Sequence, residues 1–180
     1  MNGELLVIND VSQKLIEHQI SFMLTGSIAM NYFVEPRMTR DIDIVIHLIK
    51  ENIPLVMKMF EKDYYIDEEA IKWAIENNRM FNIIHNETVT KVDFILRKSN
   101  TYRLLEFERR QQIQFLNVKT YIVSLEDLII SKLYWMKDSK SDFQKRDILL
   151  LLASSHDTLY VEKWSKNLGL ESILEEIKNG

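Results

Sequence analysis

Two aspartates interrupt a run that otherwise has the make-up of a buried strand: Asp41-Ile-Asp-Ile-Val-Ile46. Its β-branched content marks it as a strand. Side chains alternate along a strand, so Asp41 and Asp43 share one face and Ile42, Ile44 and Ile46 the other. At strand rise the two carboxylates lie about 6–7 Å apart. At an effective dielectric of about 20 they repel by roughly 2–3 kcal/mol, and by well under about 1 kcal/mol in bulk water. Such a pair is comfortable on an exposed edge or around a cation. The apolar flanks argue for an internal strand, where the edge solution fails and a divalent ion is the natural counter-charge. Oxygen-only ligands favour Mg²⁺ or Mn²⁺. Taken alone, Asp-x-Asp is also common on solvated faces.

A second apolar strand carries a third acid. In Lys91-Val-Asp-Phe-Ile-Leu96, Asp93 stands between Val92 and Phe94. The ordinary alternative is a strand-start aspartate paired with Lys91 or with an arginine. Gly26-Ser27 follows the short apolar strand Phe22-Met23-Leu24 and precedes a short helix ending at Phe33. Glycine lets backbone approach a phosphate, and a helix N-terminus offers free N–H groups and a positive dipole end. The same dipeptide is also an ordinary strand-to-helix turn and cap. No Gly-rich loop followed by Lys exists, which excludes a P-loop.

Around these motifs the periodicity predicts a mixed α/β part over 1–123 and a helical extension over 124–180. The first part holds helices over 4–19, 54–62, 67–77 and 101–109. Its strands fall at 22–24, 41–46, 80–84, 91–96 and within 112–123. Ser124-Leu-Glu-Asp127 resembles a capping box with Asp in place of Glu. Helices then cover 125–137, 142–154, 158–167 and 170–178. No Gly/Ser/Pro linker separates the two parts, so the extension is expected to pack on the core as one unit. The fold class is α+β.

These residues together resemble the nucleotidyltransferase superfamily that includes DNA polymerase β. Its pattern is a hydrophobic residue before Gly-Gly or Gly-Ser, a spacer, Asp-h-Asp-h, and a third acid on a later strand. Gly26-Ser27, the spacer Ile28 to Arg40, Asp41-Ile-Asp43-Ile and Asp93 follow it in order. Leu24-Thr-Gly-Ser-Ile-Ala-Met30 with Pro36-Arg-Met-Thr-Arg-Asp-Ile-Asp43 is similar to a small bacterial branch of uncharacterised and abortive-infection-toxin-like members. Ser124 to Lys132 and Lys145-Arg-Asp-Ile148 look like that branch's helical tail. The resemblance implies a mixed sheet flanked by helices, with Asp41, Asp43 and Asp93 as catalytic and metal-binding residues. Gly26 and Ser27 would hold the β- and γ-phosphates of an NTP, and Lys132 would reach the triphosphate or else lie on a solvated helix face. Arg37 and Arg40 would touch phosphates or acceptor, or else neutralise Asp41 and Asp43. The implied reaction moves a nucleoside monophosphate to a hydroxyl of tRNA, protein or a small compound. The alternative is a non-catalytic nucleotide-binding module, or a toxin–antitoxin partner, that keeps the fold.

Zero cysteines exclude a disulfide scaffold and a thiol nucleophile, and a formal charge of −4 supplies no overall attraction for polyanions. Arg97, Lys98, Arg103, Arg109, Arg110 and Lys119 make a local positive excess that either meets an RNA backbone or is a solvated face. Tyr134 and Trp135 could stack on a base, but as aromatic residues on an amphipathic helix they are expected in the core, as are Ile148, Leu149, Leu151 and Leu152. The core positions on the tail helices would serve an acceptor pocket or a homodimer interface. No signal peptide or membrane helix is expected, so the chain reads as cytoplasmic.

Overall fold

The computed structural model describes residues 3–34, 41–115, 118–139 and 141–179. Arg37 and Arg40 lie outside them. Seven strands form one mixed sheet in the order β3-β4-β5-β2-β1-β7-β6. They are β1 (Phe22–Leu24), β2 (Asp41–Ile46), β3 (Tyr64–Tyr65), β4 (Met80–His85), β5 (Lys91–Leu96), β6 (Gln111–Phe115) and β7 (Val118–Ile122). β2 runs parallel to β5, and β1 parallel to β7; the other neighbours are antiparallel. β2 is therefore internal, between β5 and β1. Its Ile42, Ile44 and Ile46 are buried, and so are Val92, Phe94 and Leu96 of β5. Fully burying each such side chain stabilises by about 1.5–3 kcal/mol.

Helices α1 (Gly3–Glu17), α2 (Gly26–Phe33), α3 (Ile53–Phe60), α4 (Glu68–Asn77) and α5 (Thr101–Glu108) lie between the strands in sequence. α1 packs on β7, burying Val7, Ile8, Val11 and Leu15. Its buried Ser12 hydroxyl meets that of Thr120 at 2.8 Å. Pro54 lies in the first turn of α3, where its missing N–H leaves no bond unmade. Asp67 caps α4 by accepting from the backbone N–H groups of Glu69 and Ala70. Asn78 ends that helix in the left-handed region, at φ 51°. Strand β3 was not anticipated: two residues are too few to show an alternation.

The extension consists of α6 (Leu125–Ser139), α7 (Asp142–Leu152), α8 (Thr158–Asn167) and α9 (Glu171–Asn179). The described residues divide into two compact units, with breaks at Ile28/Ala29 and Val123/Ser124. The first unit holds the sheet. In the second, α6 packs on α7, α8 and α9. The start of α6 is capped by the Ser124 hydroxyl, which accepts from the Asp127 N–H at 3.2 Å and donates to its carboxylate at 2.6 Å. Tyr160 donates to the other oxygen of Asp127 at 2.8 Å. Two expectations for these helices fail. Tyr134 and Trp135 are exposed, directly after a run from Asp127 to Leu133 that is buried throughout, and Leu149 is exposed beside buried Ile148. No helix among the described residues is long and apolar enough to cross a membrane.

Candidate active site

The parallel register of β2 and β5 pairs Asp43 with Asp93 and Asp41 with Lys91. Residues paired across neighbouring strands lie about 4.8 Å apart and face the same side. The sheet thus carries two short rows of polar side chains. One runs Asn82, Asp93, Asp43, because β4 pairs Asn82 with Asp93. The other is Lys91 with Asp41.

Asp43 is also tied to the β1–α2 turn. The Thr25 N–H donates to the Asp43 carbonyl at 2.9 Å. Gly26 takes φ +60°, in the region that disfavours every residue with a Cβ. A Cβ there would stand 2.8 Å from the Asp43 Cγ and overlap the carboxylate. The residue between strand and helix is glycine for both reasons at once. Ser27 follows in the first turn of α2, half-buried.

The three acids differ in environment. Asp41 is exposed, Asp43 half-buried and Asp93 buried, at 5%. The Lys91 ammonium lies 2.8 Å from Asp93 Oδ2 and 3.7 Å from Asp41 Oδ2. Its proton is held above the ordinary lysine range, first by the hydrogen bond to Asp93. Partial burial opposes this, and the charges of Asp93, Asp41 and Asp43 add to it. Asp93 Oδ1 is buried without a hydrogen-bond partner among the described residues. Among these residues no three acidic or histidine side chains close on one point at ligand distance. The donor chemistry still fits a hard divalent cation: carboxylate oxygens, one of them buried and unmatched among the described residues, with the Lys91 ammonium beside them.

The remaining site expectations fall elsewhere. Lys132 is on α6 in the helical unit, buried at 6%, and donates to Asp147 of α7 at 2.7 Å and to Gln144 at 3.3 Å. The anticipated basic segment is largely engaged. Arg103 donates to both oxygens of buried Glu106 at 2.8 Å. Arg97 and Arg110 lie over the Phe107 ring, at 5.4 and 4.5 Å from its centre. His47, exposed just after β2, is held below the ordinary histidine range first by partial desolvation at the surface and then by the charge of Arg97. The Lys91–Asp93 pair is the ordinary alternative that the sequence offers for Asp93, two residues apart on one face of β5. The approach of Lys91 to Asp41 and of Asn82 to Asp93 depends on strand register, for which the sequence carries no local signal.

No protein-family model and no curated protein matches the chain in sequence. Solved structures do match in fold. The antibiotic-resistance factor ANT(2'')-Ia aligns with a TM-score of 0.63 at 11% identity, over 98% of this chain and 94% of that one. An antigenic nucleotidyltransferase-like protein from Paracoccidioides brasiliensis aligns at 0.58 and 19%, over 97% and 91%. The lincosamide antibiotic adenylyltransferase LnuA, bound to lincomycin, aligns at 0.55 and 15%, over 86% and 98%. The fold is the nucleotidyltransferase fold: a mixed sheet flanked by helices, followed by a helical extension.

Proposed function

We propose that the chain is a metal-dependent nucleotidyltransferase that moves a nucleoside monophosphate from an NTP to a hydroxyl group and releases pyrophosphate. The observation that carries this reading is the register of Asp43 with Asp93, with Gly26 packed against the Asp43 carboxylate. A sheet that sets two carboxylates side by side, one of them buried, has a charge requirement that a divalent cation would meet, and that cation would in turn hold a triphosphate. Asp41 and Asp43 would bind the metal, with Asp93 completing the set. Magnesium or manganese, when bound, supplies charge neutralisation for the attacking and leaving oxygens.

Asp93 would take the acceptor hydroxyl proton. The acceptor oxygen then forms its bond to the α-phosphorus, and the bond from that phosphorus to the bridging oxygen breaks. Pyrophosphate leaves with the electron pair. Gly26 and Ser27 would orient the β- and γ-phosphates through backbone N–H groups at the start of α2. Arg37 and Arg40 would touch phosphates or acceptor, or neutralise Asp41 and Asp43, and Lys132 would touch the triphosphate, as the resemblance implies. Lys132 would first have to leave Asp147.

Among the acceptor classes, the small hydroxylated molecule is favoured over tRNA or protein. Arg97 and Arg110 lie over an aromatic ring and Arg103 is paired with Glu106, which weakens the segment as a nucleic-acid track. Two of the fold neighbours are proteins of antibiotic resistance or modification.

Calorimetric titration of NTPs with and without Mg²⁺, beside Asp43→Asn, tests the site. Binding that needs Mg²⁺ and is lost in the variant is expected. Labelled nucleotide incubated with aminoglycoside- and lincosamide-type compounds, tRNA and cell protein then finds the acceptor. Nucleotide binding that Asp43→Asn leaves intact, with no transfer to any acceptor class, favours the non-catalytic module instead.

A further inference from the structure

Lys91 stands where the proposed metal ligands would need a cation. It is in register with Asp41 and two residues before Asp93, so strand geometry places all three on one face. Its ammonium contacts Asp93 at 2.8 Å and approaches Asp41 at 3.7 Å. Asp93 is the buried member of the set, and a buried carboxylate is costly without compensation. Even so, its Oδ1 has no partner among the described residues. Lys91 therefore satisfies one oxygen of Asp93 and leaves the other unmatched.

The choice of lysine matters. An ammonium is a point charge on a flexible four-carbon stem, whereas a guanidinium would lock a carboxylate in a two-pronged grip. The Lys91 side chain is 36% exposed, so its head has a route to water.

We propose that Lys91 is the built-in counter-cation of this face: it holds Asp93 and Asp41 together without metal and gives up Asp93 when a divalent ion binds. It thereby sets how tightly the chain takes metal before nucleotide arrives. Lys91 is a positioning residue here, and the proposal rests on the metal-dependent reading above. Removing its charge relieves a repulsion on the incoming ion of about tenfold in Kd, if ion and ammonium sit roughly 6 Å apart in water-like dielectric.

The test is Mn²⁺ binding to the full chain without nucleotide, read by electron paramagnetic resonance of the free ion. Wild type, Lys91→Met, Lys91→Arg and Lys91→Met with Asp93→Asn are compared, with thermal melts in chelator. Lys91→Met is expected to bind Mn²⁺ about tenfold more tightly and to melt lower in chelator, with Mn²⁺ restoring the melt. Lys91→Arg is expected to bind no more tightly than wild type, and Asp93→Asn to abolish the gain. If Lys91→Met does not fold in chelator, folding recovered by Mn²⁺ supports the proposal, and failure to recover overturns it. A folded Lys91→Met with unchanged or weaker Mn²⁺ affinity also overturns it while wild-type binding leaves the metal reading standing. No Mn²⁺ binding by any of the four chains removes the metal reading itself.

Discussion

The Asp43 carboxylate lies against the Cα of Gly26, so close that a methyl group added there would stand 2.8 Å from the Asp43 Cγ. That contact fixes the β1–α2 turn to the acid-bearing strand, and the Thr25 N–H bond to the Asp43 carbonyl fixes it a second time.

Gly26→Ala is expected to disturb both fold and site. The left-handed backbone disfavours alanine by about 1–2 kcal/mol, and the clash adds roughly 1–3 kcal/mol. A denaturant melt should show a loss of about 2–5 kcal/mol. Because Asp43 must also shift, Mg²⁺-dependent NTP binding should weaken even at temperatures where the variant is fully folded. A variant as stable as wild type with undiminished nucleotide binding would show that this contact is not a constraint.

The acids were legible because each breaks a pattern. Asp41, Asp43 and Asp93 sit in β-branched or aromatic runs where only an unusual environment accommodates a carboxylate. The nucleotidyltransferase fold followed from their order behind Gly26-Ser27, and the solved neighbours share it. What joins them was not legible. Asp43 and Asp93 are fifty positions apart, and only the parallel pairing of β2 with β5 makes them adjacent. The same pairing brings Lys91 to Asp41. Lys132 and Asp147 belong to separate helices, so no periodicity within either one announces their contact. Tyr134 and Trp135 were misplaced because aromatic content on a helix says little about which face turns inward.

His47 should give the chain a small acid sensitivity separate from that of its carboxylates. Its proton affinity is lowered in the folded state, first by partial desolvation of this exposed ring and then by Arg97. The unfolded chain therefore binds more protons between the folded pKa and the unfolded value of about 6.5. The stabilising contribution is complete above about pH 6.5 and is lost as pH falls through the folded pKa. His47→Gln should flatten the wild-type decline in unfolding free energy just below neutrality, and Arg97→Gln should reduce it in part. Parallel pH–stability curves for wild type and His47→Gln would exclude this histidine as the source.

The Lys132–Asp147 pair separates a structural role from a nucleotide-binding one. Both side chains are almost fully buried and meet at 2.7 Å. Lys132→Met removes the ammonium that meets the buried Asp147 carboxylate, and breaking one side of comparable buried pairs costs about 3–5 kcal/mol. Adding Asp147→Leu removes the carboxylate as well, so the double variant should regain much of the lost stability. Once stability is restored, the double variant reports on nucleotide alone. If Lys132 reaches the triphosphate, the stable double variant should bind NTP at least about tenfold more weakly, the loss of one charge-assisted contact of about 1.5–3 kcal/mol. If calorimetry instead gives wild-type NTP affinity, Lys132 serves the helical unit only, and phosphate recognition rests on the Gly26-Ser27 turn and the arginines before Asp41.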